Sequence, residues 1–227
     1  MIIGNGMLAK AFAHYKTDND ILIFASGVSN SKDVSEKSYD RERKLLQETI
    51  LRYADKKIIY FSTGSIFDEE QINSFYVKHK LRMEELIVKQ CAQFTIFRLT
   101  NPIGKTNNKH TILNYLSNQI KTETKFTVWK NAKRNLMDLD DVITVCNYII
   151  HDKMYHNNTV TIANLNNYKV IDIVMILEKY LGKKALFSLE DKGGVPQIKQ
   201  PELKNMYEKL SIQFNEDYLE NILKKYF

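Results

Sequence analysis

MIIGNGMLAKAF, Met1–Phe12, sets a Gly-x-Gly-x-x-Ala turn (Gly4–Ala9) between a very short apolar strand, Met1–Ile3, and a helical pattern running from about Met7 to Tyr15. Glycine can adopt φ above zero and has no Cβ, so backbone at Gly4 and Gly6 can come close to a pyrophosphate. The helix start adds free N–H groups and the positive end of a dipole. Gly4, Asn5, Gly6, Met7 and Leu8 are therefore the candidate phosphate-binding turn, with a plain glycine turn as the alternative. Such a site is usually completed by an acidic residue about 20 positions on, at the end of a second strand. Only Asp18 and Asp20 stand near that distance, and both precede the next strand, where they read as capping or turn residues.

Outward from this turn, apolar runs alternate with helical patterns. DILIFASG (Asp20–Gly27), KKIIYFSTG (Lys56–Gly64) and FTIFRLTNPIG (Phe94–Gly104) read as buried strands, as does TVTIAN (Thr159–Asn164). Helical spacing covers Ser38–Tyr53, through Leu45, Leu46, Thr49, Ile50 and Tyr53, and Phe75–Gln90, with Leu81, Leu86 and Ile87 as the expected core side. Further helices are expected at Thr111–Ile120, Asp140–His151, Val170–Leu181 and Asp217–Tyr226, and a short strand at Phe126–Lys130. This alternation predicts an α/β fold, a Rossmann-like parallel sheet flanked by helices. Right-handed crossovers and a ligand site at the carboxyl ends of the strands follow from that class. The chain reads as one domain, 1–227, with a small C-terminal lobe built mainly from 105–135 and 165–227.

YVKHK, Tyr76–Lys80, puts a phenol and an ammonium four positions apart, on one face of the Phe75–Gln90 helix. A neighbouring ammonium favours a phenolate and makes the phenol usable as a general acid or base. The same pattern recurs at Tyr53–Lys57 and Tyr180–Lys184, where an exposed helix turn explains it. Only Tyr76 follows a buried strand that ends in Ser62-Thr63-Gly64-Ser65, whose hydroxyls can position a substrate oxygen.

Composition narrows the classes. No apolar run is long enough to span a bilayer. The start of the chain lacks the pattern of a secretory signal. Cys91 and Cys146 are far apart and offer neither a disulfide framework nor metal-ligand spacing, which fits a reducing, cytoplasmic setting. The net charge of +6 comes from lysines scattered among acids. It reads as a solvated surface in preference to a nucleic-acid face. GKT, Gly104–Thr106, fails as a triphosphate loop because Leu99 stands where the earlier glycine is required. The five histidines show no ligand spacing, so no metal is expected.

Taken together, these segments resemble the extended short-chain dehydrogenase/reductases, the NAD-dependent epimerase/dehydratase family whose members modify nucleotide-linked sugars. The glycine turn resembles the family's phosphate loop, and ILIFASGVSNS (Ile21–Ser31) its cofactor-flanking strand. IIYFSTGSIFD (Ile58–Asp68) resembles the serine/threonine strand, and YVKHKLRMEELI (Tyr76–Ile87) the catalytic helix. FRLTNPIG (Phe97–Gly104) is similar to the segment beside the nicotinamide, and RNLMDLDDV (Arg134–Val142) to the one whose arginine meets the sugar-nucleotide diphosphate. TIANLNNYKVIDIVMILEKYLGK (Thr161–Lys183) is similar to the C-terminal strand and helix.

The resemblance implies Thr63, Tyr76 and Lys80 as catalytic residues. Tyr76 would be the acid/base at a sugar hydroxyl or ketone, Lys80 would tune Tyr76 and hold the nicotinamide ribose, and Thr63 would orient the reacting oxygen. Gly4, Asn5, Gly6, Met7, Leu8, Ala25, Ser26, Gly27, Tyr76, Lys80, Asn101 and Pro102 would meet NAD or NADP. Thr63, Ser65 and Arg134 would meet a nucleotide-sugar substrate. The implied activity is NAD(P)-dependent reduction or epimerisation of that sugar, in surface polysaccharide synthesis.

Two departures stand out. The two strands and helix that the family inserts after its first helix are missing, and with them the sheet edge of the adenosine pocket. Met1–Ile3 would then be an edge itself, open to a homodimer or partner contact. The segment between Thr63 and Tyr76 is also short. A non-catalytic relative that binds a nucleotide sugar, a partner protein or RNA is the alternative reading.

Overall fold

Strands buried on both faces make the centre of the molecule. A computed structural model describes residues 1–31, 33–152, 155–198 and 201–227. The chain runs through β1 (Ile2–Ile3), α1 (Met7–Ala11), a 3-10 turn (Ala13–Thr17), β2 (Ile21–Phe24), α2 (Glu36–Arg52) and β3 (Lys57–Thr63). After a 3-10 turn (Gly64–Phe67) come α3 (Phe75–Gln90), β4 (Phe94–Leu99), β5 (Asn101–Ile103), α4 (Ile112–Lys121) and β6 (Phe126–Trp129). Then follow β7 (Lys133–Arg134), β8 (Leu136–Asp138), α5 (Leu139–His151), β9 (Asn158–Ile162), β10 (Tyr168–Lys169) and α6 (Val170–Leu181). The last elements are β11 (Phe187–Glu190), α7 (Pro201–Lys209) and α8 (Tyr218–Tyr226).

One parallel sheet of five strands has the order β1-β2-β3-β4-β9. Alternate side chains feed two apolar layers. Ile21, Ile23, Ile59, Phe61, Phe97 and Leu99 face Phe12 and Tyr15 of the first connection, and Val142, Val145 and Ile149 of α5. Leu22, Phe24, Ile58, Tyr60 and Ile96 face Leu46 and Ile50 of α2, and Met83 and Ile87 of α3.

The steps β1 to β2 and β2 to β3 go the same way across the sheet, yet their connections lie on opposite faces. The two are therefore of opposite hand, and one of them departs from the expected right-handed rule. As the sequence suggested, β1 stands at the sheet's edge, with no strand beyond it among the described residues.

A second apolar cluster lies outside the sheet. It gathers Leu113, Leu116 and Ile120 of α4, Phe126 and Val128 of β6, Ile173, Val174 and Leu177 of α6, and Leu219, Ile222 and Leu223 of α8. β6 pairs in parallel with β11, β5 with β8, and β7 pairs antiparallel with β10. α7 does not join this cluster, because Leu203, Met206 and Tyr207 pack against the sheet beside α5. Residues 199–200, inside the 165–227 stretch assigned to the lobe, lie outside the described residues. No helix among the described residues is long and apolar enough to cross a membrane.

The registers shape the carboxyl end of the sheet. β1 and β2 stop together, Ile3 opposite Phe24, while β3 and β4 continue in step to Thr63 opposite Leu99. The chain peels away after Ile3 and Phe24, and a cleft opens beside the longer pair.

Candidate active site

A cavity of about 680 Å³ fills that cleft. Its walls come from the glycine turn (Asn5–Leu8), the loop after β2 (Ala25–Ser31), the end of β3 with its turn (Phe61–Ser65), Tyr76 and Lys80 of α3, Leu99–Ile103, and Arg134 with Asn135. Of the residues expected at the site, Gly4 alone does not line it.

The two glycines of the turn differ. Gly4 has φ +128°, and a Cβ there would stand 2.3 Å from the carbonyl oxygen of Ala25. Its missing side chain serves the packing of β1 on β2. Gly6 has φ −75° and caps α1, and a Cβ on it would meet nothing within 4 Å. It faces open space at the start of a helix, where three to four N–H groups lack partners in any helix. Asp18 accepts the N–H groups of Asp20 and Ile21, each at 2.8 Å, and so closes the turn before β2. Neither Asp18 nor Asp20 lines the cavity.

Lys80 lies at the back of the cavity, 3 % exposed. Its ammonium donates to Glu42 Oε1 (2.9 Å), to the Tyr60 hydroxyl (3.1 Å) and more distantly to the Phe61 carbonyl (3.5 Å). A Cβ on Gly27 would come within 2.4 Å of Lys80 Nζ, so the ammonium sits directly beneath that glycine. Glu42, fully buried, also accepts from Tyr60 (2.6 Å) and from the Val28 N–H (2.7 Å), and it meets His79 Nε2 at 3.1 Å. Burial opposes ionisation of Glu42. The Lys80 ammonium and the hydrogen bonds of His79, Tyr60 and Val28 outweigh it and hold the carboxyl well below the usual carboxylate range. Burial first, then the Glu42 charge, push the Tyr60 phenol far above its ordinary value.

Tyr76, on the first turn of α3, is half-buried, and its ring centre lies 6.0 Å from Lys80 Nζ. Its hydroxyl makes no hydrogen bond among the described residues. Ser74 sets this turn by accepting the Val77 N–H at 3.2 Å. Thr63 Oγ1 accepts the Ser65 N–H at 3.0 Å, which leaves the hydroxyl proton free to be donated. Arg134 faces Asp68 at 3.9 Å, and Arg134 Nη1 donates to the Lys133 carbonyl. Asn101 donates to the Asn135 carbonyl at 2.8 Å. Asn135 in turn donates to the Asn164 and Asn166 carbonyls and to Asn167 Oδ1, and it accepts from Thr100. This amide seam ties β5 and β8 to the end of β9.

The buried Glu42 escaped the sequence reading, although a signal was present. It stands four positions before Leu46 on the buried stripe of α2, a carboxylate in an apolar row. The stripe of α3 is likewise rotated from the expected Leu81, Leu86 and Ile87. Val77, Lys80, Met83, Glu84 and Ile87 face inward, while Leu81 and Leu86 are half-buried. Glu84 earns its place by accepting from Ser62 (2.5 Å) and from Arg98 Nη2 (2.6 Å).

A profile of the NAD-dependent epimerase/dehydratase family matches residues 5–163, more than half of the chain. The chain belongs to that family. Among solved structures, the epimerase/dehydratase fold recurs in a dTDP-glucose 4,6-dehydratase from Bacillus anthracis, crystallised with NAD. That protein is 15 % identical, with a TM-score of 0.70 over 97 % of this chain and 76 % of the other. It recurs in a UDP-glucuronic acid 4-epimerase from Bacillus cereus, with 16 % identity and a TM-score of 0.71 over 95 % and 76 % of the two chains. A UDP-glucose 4-epimerase from Thermus thermophilus gives 12 % and 0.69 over 95 % and 81 %. No curated protein matches the sequence. The chemistry of the lining is compatible with an NAD(P) cofactor, the class the family uses. The glycine turn, the loop Ala25–Gly27, Asn101 and Pro102 share one wall system, and Gly6 leaves room over the helix start.

Proposed function

We propose that the chain is an NAD(P)-dependent enzyme that reduces or epimerises a nucleotide-linked sugar, in a reducing cytoplasmic setting, with surface polysaccharide synthesis as the biological use. The observation that carries this reading is the meeting of Thr63, Tyr76 and the glycine turn on one cavity. An NAD(P) cofactor held here would supply hydride exchange, which side chains cannot. The unpartnered Tyr76 hydroxyl gives or takes the proton at the reacting sugar oxygen. Thr63 donates its free proton to the same oxygen and fixes its place. Ser65 and Arg134 receive the remaining substrate, and the guanidinium suits a diphosphate. Lys80 shapes the wall under Gly27 with its charge balanced by Glu42.

Lys80 also supports a second reading. All its donors face protein groups, so none is free for a ribose, as befits a relative that binds a nucleotide sugar without turnover. The Tyr76→Phe variant separates the two. With NADH and a panel of UDP- and dTDP-linked keto-sugars, the enzyme reading expects turnover in the wild type. It expects turnover lost in the variant, with the ligand-induced rise in melting temperature kept. Binding without turnover in the wild type would leave the second reading standing.

A further inference from the structure

Dinucleotides bind a full doubly wound sheet across the point where strand order reverses, one nucleotide to each half. Here the order runs one way, β1-β2-β3-β4-β9, with no reversal. β1 is the edge and carries only two residues. The cavity begins at Asn5 and extends inward from that edge, over β2, β3 and β4 to Arg134. The acidic group that would grip an adenosine ribose is also unavailable. Asp18 Oδ1 is committed to two backbone N–H groups, and Asp20 is exposed on the approach to β2, off the cavity.

We infer that this chain holds its cofactor by the nicotinamide nucleotide alone, leaving the adenosine of NAD or NADP without a protein subsite. Reduced nicotinamide mononucleotide then binds as well as NADH, and the chain does not distinguish NADH from NADPH, since among the described residues no strand lies beyond β1 to carry a 2′-phosphate reader. This inference rests on the NAD(P) reading above. It also assigns the turn's glycines separate duties: Gly6 admits the phosphate, while Gly4 only joins β1 to β2.

Titration of the nicotinamide fluorescence with the full chain tests it, using NADH, NADPH and reduced nicotinamide mononucleotide at near-physiological salt. The expected dissociation constants agree within roughly threefold, and AMP in excess fails to displace the mononucleotide. Gly6→Ala weakens all three ligands alike without lowering the melting temperature. A single hydrogen bond from a charged group to the adenosine ribose is worth roughly tenfold or more in affinity. NADH binding at least that much tighter than the mononucleotide, or displacement by AMP, would overturn the inference and leave the NAD(P) reading intact. Binding by none of the three would remove that reading and the inference together.

Discussion

Single residues carry unequal duties at this site, and substitutions should separate them. Gly4→Ala places a methyl group against the Ala25 carbonyl at a φ of +128°, which L side chains rarely adopt. A loss of at least about 1–3 kcal/mol is expected in urea unfolding, from strain alone. Gly6→Ala, with an ordinary φ and open space, should be within about 0.5 kcal/mol of the wild type in the same measurement.

Glu42→Gln keeps the shape and removes the charge, so Lys80 is left buried and unpaired. About 3–5 kcal/mol of stability should go. The pH dependence has a definite sign. The folded carboxyl lies below its unfolded value of about 4.3, so its contribution is whole above that pH. It fades as the pH falls from there through the depressed folded value. Urea midpoints from about pH 5 down to pH 3 should fall less steeply in the variant than in the wild type. The glycine turn and the Thr63–Tyr76 wall of the cavity were legible in the sequence because glycine spacing and strand ends are local signals. The Glu42–Lys80–Tyr60 cluster was not, because it joins α2, α3 and β3 through space.

At the scale of elements, legibility followed burial. α3 begins and ends where its spacing placed it, with Ser74 as cap; β2 and β3 fall inside the apolar runs that announced them, and β9 overlaps its run but starts one residue earlier, at Asn158. The first helix stops at Ala11, and the chain continues through Phe12 into a 3-10 turn, so that Phe12 and Tyr15, three apart, still face the core. β7, β8, β10 and β11 were not read from the sequence; they lie outside the main sheet and each is defined by its pairing with one partner strand. α8 is held by such a long-range contact. The Tyr218 hydroxyl donates to Asp141 at 2.6 Å and accepts the Asp138 N–H at 2.8 Å, while Lys225 pairs with Asp138 and Asp140. Tyr218→Phe should cost about 1–3 kcal/mol, read as a lower urea midpoint with an unchanged slope.

Across the whole molecule, the edge position of β1 followed from the family resemblance, and the fold class and the strands of the main sheet were readable from alternation. The mixed hand of the first two connections was not, because hydrophobic pattern says which residues are inside but not on which face a connection crosses. One consequence concerns how the chain reaches this state. β2, β3 and β4 are joined by single helices, whereas β9 meets β4 only after residues 100–157, which contain the α4 and β6 part of the second cluster, have been arranged. Closing that long segment costs entropy before its contacts can return any, so the α2–β3–α3–β4 block should nucleate and β9 should dock late. In stopped-flow urea jumps, Ile59→Val should slow refolding, whereas Val160→Ala should leave refolding nearly untouched and hasten unfolding.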